Sequence, residues 1–245
     1  MSIFLGELIG TWLLILLGNG VVACALLAQS KGEKGGWIVI TAGWGFAVAI
    51  AVYAVGWISG GHLNPAVTVG LWIAGKTAFS LLPSYFCGQM IGAMLGALFV
   101  WIVYFPHWSL THDPRTKLLC FCTHPAVLRH RFSNFITEVV ATAILLIGIL
   151  GIFDVHNGIG SGMGPYAVGI LIFSIGLSLG GPTGFAINPA RDLGPRIIHA
   201  WLPISGKGSS EWGYSWIPVV GPCLGGILGA LIYQFFIYPL TALVP

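Results

Sequence analysis

Hydrophobic positions in this chain gather into long blocks separated by short polar breaks. A membrane-crossing helix needs about 20 apolar residues. Six blocks are of that order, near 3–28, 38–58, 82–105, 133–153, 165–181 and 216–238. Two further apolar segments, 64–74 and 188–199, are too short to cross a bilayer alone. Both begin with the same triplet, Asn64-Pro65-Ala66 and Asn188-Pro189-Ala190. Asparagine is a favoured helix N-cap and proline is favoured at the first helical position. Each triplet therefore predicts the start of a short helix inside membrane-grade sequence, and the pair predicts two re-entrant half-helices. The breaks at 29–37, 106–132, 154–164 and 200–215 are rich in Gly, Pro, Ser or charge and read as connections.

Composition agrees with the block pattern. Of 245 residues, 56% are hydrophobic and 7% charged, and the mean hydropathy is +0.91. A soluble domain carries roughly 25% charged residues, so the chain reads as one all-α, multi-pass membrane domain over 1–245 with the lipid bilayer as its solvent. A net charge of +3 without a basic cluster gives no case for nucleic acid. The first block is longer than a signal-peptide core and has neither a basic leader nor a small-residue cleavage site, so it reads as a retained span. Cys120 and Cys122 share a connection while Cys24, Cys87 and Cys223 fall in spans, which makes no disulfide framework. His107, His112, His124 and His130 have no compact metal-binding spacing, and Gly36 belongs to no phosphate-binding loop. No metal, cofactor or enzymatic chemistry is expected.

The two halves, about 1–110 and 131–240, repeat three markers in the same order. Glu7 and Thr11 stand four apart in the first block, as do Glu138 and Thr142 in the fourth. The triplets follow. Gly88, Gly92 and Gly96 then mark the third block and Gly221, Gly225 and Gly229 the sixth, at the spacing that lets membrane helices approach closely. Three spans per half is an odd number, so the second copy lies inverted relative to the first. The half-helices then meet N-terminus to N-terminus at the midplane.

Irregular backbone at membrane depth is tolerated where protein buries it or where it lines a water-filled cavity. The stretches before each triplet, from Gly60 to Leu63 and from Gly181 to Ile187, are therefore expected to face a pore, with the carbonyls of Gly60, Gly61, His62, Leu63, Gly184, Phe185 and Ala186 as solute ligands. An asparagine oxygen used as a cap leaves its NH2 free to donate into the lumen, so Asn64 and Asn188 are expected to face each other there. The positive ends of two half-helices oppose cations and orient a central water. These residues point to a pathway for neutral solutes that disfavours ions and protons.

The stretches Ser59-Gly60-Gly61-His62-Leu63-Asn64-Pro65-Ala66-Val67-Thr68 and Gly181-Pro182-Thr183-Gly184-Phe185-Ala186-Ile187-Asn188-Pro189-Ala190-Arg191-Asp192 resemble the two signatures of the major intrinsic proteins. The resemblance covers essentially the whole chain. It implies the aquaporin fold, six tilted spans plus two half-helices per pore, in a homotetramer. Carried over by distance from each triplet, it implies a selectivity filter of Trp44, Gly176, Phe185 and Arg191. That set is similar to the aquaglyceroporin branch, since the water-selective branch typically has His in place of Gly176. Tyr104, Asp192, Arg196, Pro218 and Val219 match the same branch. The expected permeants are glycerol and related small neutral solutes with some water; a water-selective pore is the alternative.

The residues of this filter suit glycerol on physical grounds as well. Trp44 and Phe185 offer an apolar corner for the carbon backbone, and Arg191 offers a planar fork of donors for successive hydroxyls. Taken alone, Trp44 and Phe185 read as core or interfacial aromatics rather than filter residues, while Gly176 reads as readily as a packing glycine and His62 as a packing histidine. Glu7 and Glu138 read as loop supports, each accepting from backbone N–H groups in its own half; proton carriage in a secondary transporter is the competing role. A non-transporting scaffold is a third possibility. The resemblance places both termini in the cytoplasm and the chain in a plasma membrane, bacterial inner membrane included. The charge pattern disagrees: the connections this puts outside hold Lys31, Lys34, Arg115, Lys117, Arg129, Arg131 and Lys207, against Lys76 inside.

Overall fold

The computed structural model describes residues 1–159 and 162–239. Residues 160, 161 and 240–245 of the expected single domain lie outside the described residues. The described chain forms ten α-helices: α1 (Ser2–Leu26), α2 (Trp37–Ser59), α3 (Pro65–Ile73), α4 (Leu82–Val103), α5 (Phe105–Leu110), α6 (Pro114–Leu119), α7 (Arg131–Ile152), α8 (Met163–Leu179), α9 (Pro189–Trp201) and α10 (Ile217–Ile232). A short 3-10 turn, Phe79–Leu81, leads into α4, and a π-helical turn, Tyr233–Ile237, continues α10. With those extensions, α1, α2, α4, α7 and α10 are long and apolar enough to cross a membrane. The sixth predicted span is α8, at 17 residues the shortest. At ~1.5 Å per residue it rises about 25 Å, and the chain beyond it turns back so that Phe185 and Ala186 line the cavity.

The glycine rows decide how the long helices pair. A Cβ built on Gly92 of α4 would lie 2.3 Å from the Leu8 carbonyl of α1, and one on Gly225 of α10 would lie 2.3 Å from the Val139 carbonyl of α7. Only glycine permits backbones so close. α2 and α8 cross reciprocally, with Gly45 against the Gly169 carbonyl and Gly169 against the Gly45 carbonyl, at 2.6 and 2.7 Å for the built Cβ atoms. Each half-helix packs against the other half's last span: α3 on α10, where Gly226 meets the Ala66 carbonyl, and α9 on α4, where Gly194 meets Ala93. The contact pattern is thus repeated about a pseudo-twofold relation between α1–α4 and α7–α10.

The stretch 106–132 departs from a plain connection. It holds the end of α5 and all of α6, because proline starts each helix and Asp113 caps α6 by accepting from Arg115 N at 3.1 Å and Thr116 N at 3.0 Å. The rest folds inward, burying Cys120, Phe121 and Cys122 completely. At the opposite end of the molecule Asp154, just past α7, accepts from the Tyr233 hydroxyl at 2.6 Å and from His156 N at 3.0 Å. These bonds, the tyrosine's first, hold the Asp154 carboxyl well below its usual range, at about 2.

Candidate pore and selectivity site

One cavity of about 710 Å³ runs between the halves. Trp44, Phe185 and Arg191 line it toward one end; Lys76, Asp154 and Tyr233 line it toward the other; Asn64 and Asn188 lie between.

At the centre each asparagine caps its own half-helix. Asn64 Oδ1 accepts from Ala66 N at 2.8 Å, and Asn188 Oδ1 from Ala190 N at 3.0 Å and Arg191 N at 3.2 Å. The amides are not wholly free for the lumen. Asn64 Nδ2 donates to the Ile187 carbonyl at 2.7 Å, and Asn188 Nδ2 donates to the Leu63 carbonyl at 2.8 Å. One hydrogen of each NH2 is therefore committed across the halves, and the other is not. The same bonds take up a lone pair of the Leu63 carbonyl.

Leu63 and Ile187, the residues before the asparagines, have φ of 55° and 44°, and Phe185 has φ of 39°. Left-handed backbone is costly for such side chains and clusters at functional sites. Here carboxylates fix it from behind. Glu7 accepts from His62 N at 3.0 Å and Leu63 N at 2.7 Å, and Glu138 from Ala186 N at 3.0 Å and Ile187 N at 2.8 Å. Glu7 also accepts from Ser59 Oγ and Gln89 Nε2, each at 2.7 Å. The result is that Leu63 and Ile187 are each held at N–H by a glutamate of their own half and at C=O by the asparagine of the other.

The other expected loop residues divide. Gly60, Gly61, His62, Leu63, Phe185 and Ala186 line the cavity. Gly184 does not; it sits beside Thr123. His62 lines the cavity and packs as well, stacked on Tyr85 at 4.1 Å with Nδ1 3.1 Å from Thr68 Oγ1.

Near the Arg191 end, the guanidinium carbon lies 4.2 Å from the Trp44 ring centroid, a cation–π contact. Arg191 NH1 donates to the Phe121 carbonyl at 3.4 Å, and the same oxygen accepts from Asn19 Nδ2 at 3.0 Å. Gly176 stands behind this ring of side chains and is not among the cavity-lining residues. A Cβ there would meet Thr41 Cγ2 at 2.8 Å and the Phe185 ring at 3.0 Å. Its missing side chain therefore makes room for Phe185, and the open space beside Arg191 follows indirectly.

Some supporting residues, and the structural role of others already singled out, escaped the sequence reading. Asn19 and Gln89 are buried polar groups in apolar blocks, and that anomaly is the signal that could have found them. Asp192 and Arg196 form a fully buried ion pair at 2.7 Å. Asp192 also accepts from Thr123 N and Oγ1, and Arg196 donates to the carbonyls of Thr123 and Ser210, so the pair ties α9 to both neighbouring loops. Their four-residue spacing was the visible hint. Among the described residues, no three His, Cys, Asp or Glu side chains gather to hold a metal ion.

The model of the family described as "Major intrinsic protein" matches residues 1–233. A "Probable glycerol uptake facilitator protein" of Thermotoga maritima is 55% identical over 235 residues, covering 96% of this chain and 99% of that protein. The glycerol uptake facilitator protein of Bacillus subtilis is 53% identical over 234 residues, covering 96% and 84%. Among solved structures, the aquaglyceroporin from Plasmodium falciparum superposes with a TM-score of 0.89 at 32% identity, covering 99% of each chain. With an all-helical fold, paired half-helices and a family match over nearly its full length, the chain belongs to the major intrinsic protein family and has the aquaporin fold.

Proposed function

We infer that this protein is a passive membrane channel for glycerol and related small neutral solutes, with some water passing and ions and protons excluded. The observation that carries the reading is the convergence of Trp44, Phe185 and Arg191 on one cavity, with the guanidinium over the Trp44 ring and Phe185 lining the same space. A polyol has a carbon edge for the aromatics and hydroxyls for the arginine fork. Relatives above 50% identity bearing the glycerol uptake facilitator name support the same substrate class. Asn64 and Asn188 supply the central donors, and the free carbonyls of Gly60, Gly61, His62 and Ala186 supply acceptors. The Arg191 guanidinium and the two half-helix N-termini raise the barrier to cations.

Glu7 and Glu138 serve as loop supports in this reading. Both oxygens of each carboxylate already accept from backbone N–H groups, which suits scaffolding better than carriage of protons. The working assembly is a homotetramer in the plasma membrane with both termini in the cytoplasm, and no step requires a cofactor or an enzymatic reaction.

Stopped-flow swelling of liposomes containing the purified protein tests the proposal, with water, glycerol and urea compared. Glycerol flux is expected to be non-saturating and indifferent to ion gradients; saturation with ion coupling would instead indicate a carrier. Gly176→His is expected to lower glycerol flux more than water flux, because the new side chain displaces the Phe185 ring into the passage. Equal losses would remove the filter assignment.

A further inference from the structure

The Phe185 ring of the candidate filter is packed on its flank by a residue that does not line the cavity. The Phe185 ring lies along the glycine face at the end of α8, 3.0 Å from a Cβ built on Gly176 and 2.5 Å from one built on Gly180. Against the outer side of that ring stands Trp37, the first residue of α2. The two rings meet edge to face, with centroids 5.7 Å apart at 89°. A Cβ on Gly180 would also lie 2.8 Å from the Trp37 ring, so Gly180 is the floor on which both aromatics rest. Trp37 Nε1 donates to the Gly176 carbonyl at 3.1 Å. That carbonyl belongs to the last turn of α8, where a helix runs out of its own N–H donors. One side chain thus caps α8 at Gly176 and backs Phe185, touching two of the four candidate filter residues without being among the residues that line the cavity.

We propose that Trp37 is a specificity-determining positioning residue: it pins the Phe185 ring against the Gly176–Gly180 face of α8 and so sets the largest solute that passes between Phe185, Trp44 and Arg191. The proposal rests on the filter reading given above. The physical reason is that the Phe185 backbone, held at φ of 39°, fixes where the side chain starts but not how its ring tilts. Glycines at 176 and 180 supply a smooth floor that does not restrict tilt. The edge contact with an indole, itself anchored by a hydrogen bond, removes that freedom on the side away from the pore. Without it the ring can recede, and the passage widens for solutes with a longer carbon backbone.

The test is a ratio, since a ratio does not depend on how much protein folds or inserts. Liposome flux of a four-carbon polyol, erythritol, is measured against glycerol and water for the wild type, Trp37→Leu, Trp37→Phe and Phe185→Leu. Trp37→Leu removes both ring and donor and is expected to raise the erythritol-to-glycerol ratio about threefold or more, a small part of what one methylene can be worth in a pocket. Trp37→Phe keeps an aromatic edge and loses the donor, so a smaller rise is expected. A ratio unchanged in both Trp37 variants, with all fluxes scaled down together, overturns the proposal. Phe185→Leu separates the two levels: if it raises the ratio while the Trp37 variants do not, the filter stands and Trp37 does not act on it. If none of the three moves the ratio, the filter reading falls as well.

Discussion

Asn64 and Asn188 each use one amide twice, as a helix cap and as a bond to the opposite half, and in the proposed function the remaining hydrogen is a donor for solute. The cap is local and could be read from Asn-Pro-Ala alone. The crossed bonds depend on the register between halves, which no local pattern encodes. The glutamates are the complementary case. Glu138 accepts two backbone N–H groups, one on each oxygen. In Glu138→Gln one oxygen becomes an NH2 that faces another donor, which leaves a buried group unsatisfied at a cost of about 1–3 kcal/mol. The variant is expected to melt earlier in detergent and to pass less glycerol per protein, with no change in response to a proton gradient. A wild-type flux that follows an imposed proton gradient, and a Glu138→Gln flux that does not, would make Glu138 a carrier. Trp44 was the least legible residue, one of ten tryptophans until family register singled it out. Gly176 was located by the same register, but its position behind Phe185 depends on a left-handed backbone that sequence does not announce.

Helix identity was readable from apolar length, and close packing from glycine spacing; which helices meet was not. The rows 88-92-96 and 221-225-229 turn out to face α1 and α7 respectively, each within its own half. The same structure yields a graded prediction. Gly92→Ala and Gly225→Ala place a Cβ where a carbonyl already lies 2.3 Å away, so each helix pair must separate. Overpacking of this kind costs about 1–3 kcal/mol. Both variants are expected to unfold at lower SDS fraction than the wild type. Gly20→Ala on α1, where the added Cβ meets nothing within 4 Å, is expected to hold or gain stability through helix propensity. Equal effects at the three positions would show that backbone approach is not what these glycines provide. The short helices α5 and α6 stayed hidden for the opposite reason: at six residues each, they have no apolar period and depend on proline starts, Asp113 capping and the loop folding inward.

At the scale of the whole molecule, the inverted repeat was legible because an odd number of spans per half follows from counting blocks. Orientation in the membrane is a different matter, and here two sequence signals conflict. Seven of the eight Lys and Arg residues in the connections lie on the face with α6 and the 200–215 loop, against Lys76 on the other. Counted as charges, they would place that face in the cytoplasm. Three of them have structural work that does not depend on orientation. Lys207 Nζ donates to the carbonyls of His199, Ala200 and Leu202 at 2.6–2.7 Å, closing the C-terminal end of α9 where a cation also suits the helix dipole. Lys117 donates to the Ser205 carbonyl, and Arg115 to the Pro125 carbonyl at 3.0 Å. These side chains are held by loops that must fold over the Arg191 end of the cavity whichever way the chain inserts. The charge count therefore overstates the topological signal, and the orientation we propose keeps both described ends of the chain, which lie on the Asp154 side, in the cytoplasm. Fusions at the C-terminus decide it: a fluorescent reporter that matures only in the cytoplasm is expected to glow, and an alkaline phosphatase that works only outside is expected to stay inactive. The reverse pair of results would put the Asp154 end outside and restore the charge count as the stronger signal. A Lys207→Met fusion sharpens the separation of the two roles. It is expected to keep the wild-type orientation while melting earlier, because the residue acts on α9 and not on insertion.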